Sequence, residues 1–461
     1  MNTRLQACFQ EINSRGVIAV AKNFGYVFAS RVGVGLIALL ATRLLRSALD
    51  ISTLGIYATV LSVQAFALAL ADLGVTTSTG RLGAEFLASD EQVASAYFSM
   101  IRAWRARLVW LILALGIIST PICSLLMLGT VKQWYLFLIP LGALVPLVYL
   151  AGTYQGVMIA QQQFRSLSTW NLVQPATALA ITVLLVISGQ LNLVTALTLQ
   201  IIATAAAYAV VIRMVPKRMV SVANPNQYLG ERWVDIRRVS STRAVISLVG
   251  ALETPLNYAL LTQLTSPHEA GIYFGALVVA RPLSLFSEIS ASVLLPKASA
   301  MTGNLKALRG YVNKVVKLLP VGLLVTAIIA SVLPLMVTTV LGDGFTGSLT
   351  VAWFLMGAYA PGTVLNALVL VLFPLRMEVW QMLATVGVFI IEVVLRILLI
   401  PKYGAVGVAA SLFIIKIIAW IWLIWLVHIG MKRLQDEQKS STPLGLGDRL
   451  RPTEDVQSIV D

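Results

Sequence analysis

Residues 51–74 have the sequence ISTLGIYATVLSVQAFALALADLG, and this stretch decides the fold. It has no charged side chain between Asp50 and Asp72, which gives it the length of about 20 residues that an α-helix needs to cross a bilayer. Comparable runs recur along the chain and predict spans near 24–45, 55–78, 108–129, 134–156, 167–188, 191–213, 244–264, 270–296, 316–341, 348–373, 378–400 and 403–429. The sequence therefore predicts an all-α integral membrane protein of about twelve transmembrane helices.

Composition supports a membrane protein. Of the 461 residues, 58% are hydrophobic and only 12% are charged, whereas a soluble domain has about 25% charged residues. The net charge of +14 would indicate nucleic acid in a soluble protein, but here the basic residues lie in short segments between apolar runs. No nucleic-acid partner is therefore expected. The isolated cysteines and histidines predict no disulfide framework, no metal site and no cofactor; they are Cys8, Cys123, His268 and His428.

The distribution of basic residues orients the chain. If the N-terminus is cytoplasmic, the predicted inner segments contain 26 of the 34 lysines and arginines, and the outer segments contain four. Cytoplasmic loops carry this excess, so both termini are expected in the cytoplasm, with the protein in the cell inner (plasma) membrane.

The longest polar segment between spans, 214–243, includes Asn224-Pro225-Asn226 and falls between spans six and seven. It predicts a cytoplasmic linker between an N-terminal six-helix lobe at 1–213 and a C-terminal six-helix lobe at 244–430. Residues 431–461 are predicted to form a polar cytoplasmic tail.

The two halves share a pattern. Leu54-Gly55-Ile56-Tyr57 and Ala270-Gly271-Ile272-Tyr273 are related by an offset of 216 positions. Six helices per half give both halves the same topology, so we expect a pseudo-two-fold axis normal to the membrane, with substrate between the lobes. Further residues match at the same offset: Asp72 with Glu288, and Arg81 with Lys297.

Cations within spans are functional candidates because their burial in lipid is costly. Arg31 either lines a central cavity or extends to the headgroups. Arg281 lies about eleven residues from either end of its predicted span. It either pairs with Glu253 or binds a phosphate through its planar guanidinium. Lys416 needs a partner on another helix or a polar cavity, and it is a third candidate for a substrate-binding cavity cation beside Arg31 and Arg281.

The acidic residues leave alternatives open. Asp72 and Glu288 either hold helix bends, paired with basic residues such as Arg81 or Lys297, or couple transport to a cation or proton. Glu253 is a further candidate of this kind. Glu392 and Arg396 are four residues apart on one predicted helix and are expected to form an ion pair.

Enzyme motifs are missing from the sequence. It has no P-loop, HExxH or GxSxG pattern. The predicted outer loops are all short and leave no room for a catalytic domain. We therefore predict a transporter and not an enzyme, one that does not itself hydrolyse ATP.

Several stretches resemble the polysaccharide and O-antigen flippases of the multidrug/oligosaccharidyl-lipid/polysaccharide exporter superfamily. They are 55–57 with 72–74, 271–273 with 295–297, 342–345 and 403–410. The resemblance implies two lobes around a central V-shaped cavity and alternating access.

The same resemblance implies that the cargo is a lipid-linked oligosaccharide on undecaprenyl pyrophosphate, moved from the inner to the outer leaflet. Cavity cations for the pyrophosphate would be Arg31 and Arg281. Membrane lipids, a polysaccharide polymerase and chain-length regulators are expected partners. The alternatives are an ion-coupled multidrug exporter of the same superfamily, a membrane-bound assembly enzyme, and a non-catalytic scaffold of a polysaccharide assembly complex.

Overall fold

A computed structural model describes residues 3–222, 233–281, 283, 305–372, 375 and 377–440, and all regular structure in these ranges is helical. The first half contains α1 (Thr3–Ala48), α2 (Ile51–Asp72), α3 (Val75–Ser89), α4 (Glu91–Leu128), α5 (Trp134–Ala160), α6 (Phe164–Ile187) and α7 (Leu193–Met214). The second half contains α8 (Trp233–Leu264), α9 (267–281), α10 (Leu305–Ser331), α11 (Gly347–Leu372) and the segment Glu378–Ser440. That last segment breaks at Gly404 into α12 (378–403) and α13 (404–440).

The helices confirm the predicted all-α membrane fold in two lobes. In the described ranges, nine segments are long and apolar enough to cross a membrane, and the last of them, Val379–Asp436, contains both α12 and α13. Helices α8 and α9 occupy the positions predicted for spans seven and eight. The second half of span eight, 282–296, lies outside the described residues apart from Leu283.

Two helix breaks are held by carboxylates. Leu73 and Gly74 both have left-handed backbone angles, φ 44° and 75°, and end α2; Asp72 accepts from the Thr76 backbone nitrogen at 3.1 Å. At the other break Gly404 has φ 56°, and Glu269 of α9 accepts from the Ala405 nitrogen at 2.7 Å. A side chain at position 404 would meet the Glu269 carboxylate, so glycine is needed there for space as well as for conformation.

The turn before α2 is also capped. Asp50 accepts hydrogen bonds from the Ser52 nitrogen at 3.1 Å and from the Thr53 hydroxyl. The Thr53 hydroxyl bond is the main reason that the pKa of the Asp50 carboxyl lies below its ordinary value of 3.8.

The two lobes touch where the repeated glycines lie. A Cβ atom on Gly55 would collide with the backbone of Pro267 and Gly271, and one on Gly271 would collide with the Ile51 carbonyl. Nearby, the Gln263 side-chain amide donates to the Leu125 and Leu126 carbonyls at 3.1 and 3.2 Å. The Gly-Ile-Tyr repeat found in the sequence therefore marks a close backbone crossing between lobes.

The start of the predicted linker packs on the first lobe. After α7 the chain forms a short 3₁₀ turn at Lys217–Met219, and Met219 is buried. Ser95 of α4 donates to the Met219 sulfur at 3.4 Å, and the Val222 nitrogen donates to the Ser99 hydroxyl at 2.8 Å. Residues 223–232 lie outside the described residues, so the lobe boundaries at 213 and 244 stay predictions.

Candidate functional site

A buried ion pair closes the end of α2 in the first lobe. Arg105 of α4 is 1% exposed and makes a salt bridge with Asp72. Its guanidinium also donates to the Thr76 hydroxyl at 2.9 Å and to the Tyr149 carbonyl at 2.5 Å, and lies over the Tyr149 ring. Gly152 of α5 provides the space, since a side chain there would meet the guanidinium. This cluster joins α2, α3, α4 and α5.

This arrangement corrects one expectation about Asp72. The sequence suggested Arg81 as its structural partner, but the observed partner is Arg105, 33 positions away. Arg105 was assigned to an inner loop from its charge, whereas the structure places it inside the lobe. The observed salt bridge therefore supports a structural role for Asp72, with Arg105 as the partner in place of Arg81.

The second lobe has a larger charge cluster. Arg396 of α12 is fully buried and makes a salt bridge with Glu392, as the sequence predicted. Glu253 of α8 also approaches Arg396, with the two side-chain atoms 3.6 Å apart. The predicted Glu392–Arg396 pair is therefore confirmed but incomplete, because two carboxylates share one arginine.

The cluster faces a cavity of about 410 Å³ between α8, α11, α12 and α13. Glu253, Glu392 and Lys416 all line it. Lys416 thus lies at a polar cavity, which is one of the two surroundings that the sequence allowed for it. Four residues that the sequence singled out separately are brought together here: Glu253, Glu392, Arg396 and Lys416.

The two predicted cargo-binding arginines lie elsewhere. Arg281 is the last residue of the described part of α9, and its side chain is exposed although Val279 and Ala280 before it are buried. Arg31 lies on α1 and is half-buried. Neither lines the 410 Å³ cavity. Their roles, and the pairing of Arg281 with Glu253, stay predictions.

Glu288 and Lys297, the predicted repeat mates of Asp72 and Arg81, lie outside the described residues. The sequence also missed one structural acid, Glu269. Its function as a cap for α13 depends on a contact 136 positions away, and the only local indication was the glycine at 404.

Comparison with known proteins supports the fold. No protein-family model and no curated protein matches the sequence. Among solved structures, the chain is similar to a multidrug resistance MATE family transporter of the MOP superfamily in an inward-facing conformation, with a TM-score of 0.70 and 13% identity over 90% of this chain and all of the other.

Two further structures agree. A eukaryotic MATE transporter matches with a TM-score of 0.65 and 14% identity over 92% of this chain and 99% of that one. A Vibrio cholerae MATE transporter matches with a TM-score of 0.59 and 15% identity over 92% and 98%. The class that the fold defines is therefore a multi-pass membrane protein with the two-lobed MATE architecture. At this level of identity the likeness establishes the fold.

Proposed function

We propose that the chain is a transporter that works by alternating access between its two lobes. The observation that carries this proposal is the full-length match to the MATE fold. The lobes support it because they cross closely through Gly55 and Gly271 at one end of the helices. Because glycine has no side chain, the two lobes can pack tightly at one membrane face. They can separate at that face when the opposite face closes.

For the cargo, we propose an oligosaccharide linked to a lipid through pyrophosphate. Arg281 supports this cargo, because its exposed guanidinium stands at the end of a buried stretch of α9. A guanidinium binds phosphate oxygens with two parallel hydrogen bonds. Arg31 of the opposite lobe supplies a second cation. Flipping this cargo would serve the assembly of a surface polysaccharide in the cell inner membrane, beside a polymerase and chain-length regulators.

Multidrug export is the second candidate, and the solved structures favour it. Several of them are described as multidrug resistance or multidrug transporters. Cationic drugs would need carboxylates, and Glu253 and Glu392 line the cavity of the second lobe. Both carboxylates make salt bridges with Arg396, and Lys416 lines the same cavity, which counts against a cationic cargo there.

Reconstitution separates the candidates. The purified chain in vesicles is tested for flipping of a fluorescent polyprenyl-pyrophosphate disaccharide and for uptake of ethidium. We expect flipping without ethidium uptake. Arg281→Ala should abolish flipping, and Arg281→Lys should restore part of it, because charge returns without the bidentate fork. Arg43→Ala, an exposed arginine of α1, is the matched control and should flip normally.

One result would contradict the lipid-linked cargo, and another would contradict the role of Arg281. One is ethidium uptake without flipping, which would establish the exporter. The other is normal flipping by well-folded Arg281→Ala protein, which would make this arginine structural. If the variant fails to fold and Glu253→Gln rescues it, the pairing of Arg281 with Glu253 accounts for the residue.

Orientation is tested by cysteine labelling. Pro267 lies in the predicted outer loop between spans seven and eight. Its carbonyl, however, lies against Gly55 in the contact between the lobes. The neighbouring His268 is exposed and is the better probe. Reagent added outside should label His268→Cys and not Gly310→Cys, and the opposite pattern would reverse the proposed topology.

A further inference from the structure

Among the described residues, the lining of the cavity in the second lobe comes from α8, α11, α12 and α13. On α12 its lining runs from Gln381 to Glu392, a helix rise of about 16 Å. At about 410 Å³ it falls within the range of about 300–1,000 Å³ for sites that hold small ligands.

In the described part of the chain, the charges at this cavity balance. Glu253 and Glu392 contribute two carboxylates, while Arg396 and Lys416 contribute two cations. Arg396 makes salt bridges with both carboxylates and is itself fully buried. A ligand with a net charge would meet no net counter-charge here, whereas a neutral polar ligand would find both hydrogen-bond donors and acceptors.

Two polar atoms of the lining residues have no partner among the described residues. They are the side-chain oxygen of Gln381 and the indole nitrogen of Trp420, and both are inaccessible to solvent. Leaving a buried donor or acceptor unsatisfied is costly. Native proteins contain few such atoms. One acceptor on α12 and one donor on α13 beside the same cavity indicate a ligand that carries both kinds of group.

Aromatic rings supply the rest of the wall. Tyr359, Phe389 and Trp420 line the cavity together with the polar groups. Aromatic rings with a polar edge combine a large apolar contact with a fixed hydrogen-bond direction. A pyranose has the matching chemistry, since its C–H face is apolar and its hydroxyls both donate and accept. A flat organic cation would use the rings but not the balanced charges.

We propose that this cavity is a subsite for an uncharged sugar unit. The proposal deepens the proposed function and rests on it, in that it assigns the saccharide part of the cargo to the second lobe. In this arrangement the hydroxyls bond Gln381, Trp420 and Glu392, and a ring stacks on an aromatic face. The pyrophosphate then remains with cations outside this cavity.

Binding is tested with the full chain in lipid nanodiscs, because sugar-headed detergents would compete. The probes are glucose, galactose, mannose, N-acetylglucosamine and lactose, with tetraphenylphosphonium and inorganic pyrophosphate for comparison. Calorimetry and tryptophan fluorescence report binding. We expect saturable binding of at least one sugar and of neither charged probe at this cavity.

Variants locate the binding. Gln381→Leu removes the acceptor and Trp420→Phe removes the donor while keeping an aromatic ring. Each should weaken sugar binding about tenfold, as expected for the loss of one buried hydrogen bond. The matched control is Trp425→Phe, on the same helix but outside the lining and exposed. It should bind sugar like the native chain.

The outcomes separate this proposal from the proposed function. If no sugar binds, or if both variants bind as the native chain does, the subsite is wrong, while flipping by vesicles would still support the lipid-linked cargo. Binding of tetraphenylphosphonium that depends on Trp420 and Glu392 would also overturn the subsite. If sugar binding depends on Gln381 and Trp420 but vesicles flip no lipid-linked sugar, the subsite stands and the proposed function fails.

Discussion

The two lobes use a buried arginine in different ways. In the first lobe, Arg105 has one carboxylate, Asp72, and its remaining bonds go to Thr76 and the Tyr149 carbonyl. In the second lobe, Arg396 has two carboxylates, and among the described residues its Nε and Nη1 atoms have no hydrogen-bond partner. The first cluster joins four helices, whereas both carboxylates of the second line a cavity.

Two lobes of the same topology therefore need not share the same side-chain interactions. Arg105 makes three hydrogen bonds and leaves only its Nε atom without a partner among the described residues. Removing one partner of such a buried charge pair is strongly destabilising. Arg396 is shared by two carboxylates, and two of its nitrogen atoms have no hydrogen-bond partner among the described residues. These donors can bind further groups. We therefore expect changes in the first cluster to act on folding, and changes in the second to act on transport.

The largest effect is expected at Arg105. Arg105→Ala should destabilise the protein by about 3–5 kcal/mol, because Asp72 is left partly buried without its counter-charge. Thermal unfolding followed by size-exclusion chromatography measures this. Arg107→Ala, an exposed arginine on the same helix, is the control. Equal stability of the two variants would contradict the structural role that we assign to the Arg105 cluster.

The lobe crossing should come next. Gly55→Ala and Gly271→Ala each place a methyl group against backbone of the other lobe, and overpacking of this kind costs about 1–3 kcal/mol. We expect both variants to loosen this end, measured as faster labelling of His268→Cys. Gly387→Ala, whose added Cβ would meet nothing within 4 Å, should label at the native rate. Unchanged labelling in all three variants would show that the crossing tolerates a side chain.

In the second lobe the effect on folding should be smaller than the effect on transport. Glu253→Gln or Glu392→Gln alone leaves Arg396 with one carboxylate, so each should lower stability by only about 1 kcal/mol. Transport in vesicles should fall at least tenfold in either variant. The double variant leaves Arg396 buried and unpaired and should lose far more stability than the sum of the two. Additive losses would show that the carboxylates act independently.

The smallest effect concerns the cap of α2. Asp50→Ala should lower stability by about 0.5–1 kcal/mol at neutral pH, because the cap to Ser52 and Thr53 is lost. The folded-state pKa of Asp50 lies below 3.8, so its contribution is complete above that pH and is lost as the pH falls through the folded-state pKa. Unfolding temperatures of native and variant protein should therefore converge only at acidic pH. A difference that persists at pH 2 would exclude the carboxylate as its source.

The apolar runs were sufficient to predict the fold, because lipid forces each such run into a helix of fixed minimum length. The Glu392–Arg396 pair was also predictable, since it depends only on helix spacing. Contacts between distant residues were not. Two salt bridges depend on how helices pack: the one between Asp72 and Arg105 and the one between Glu253 and Arg396. Nothing in the sequence near either arginine indicates these two carboxylates.

The repeat shows the same limit. Tyr57 and Tyr273 occupy matching positions in the sequence, yet Tyr57 accepts from Gln200 of α7 at 3.1 Å and Tyr273 accepts from Asn257 of α8 at 3.2 Å. The motif therefore predicted the glycine crossing but not the hydrogen bonds of its own tyrosines, because the partners come from helices that are not equivalent in the two halves.

The cap that Glu269 places on α13 has a practical consequence for protein engineering. Because this carboxylate joins the start of α9 to the turn at Gly404, an epitope tag or fusion partner inserted there would separate two helices that are held together. The turn between α6 and α7 offers the opposite situation. Gly189 has nothing within 4 Å of an added Cβ, and its neighbours Ser188 and Gln190 are exposed. A rigid antibody-binding insert for electron microscopy belongs at position 189.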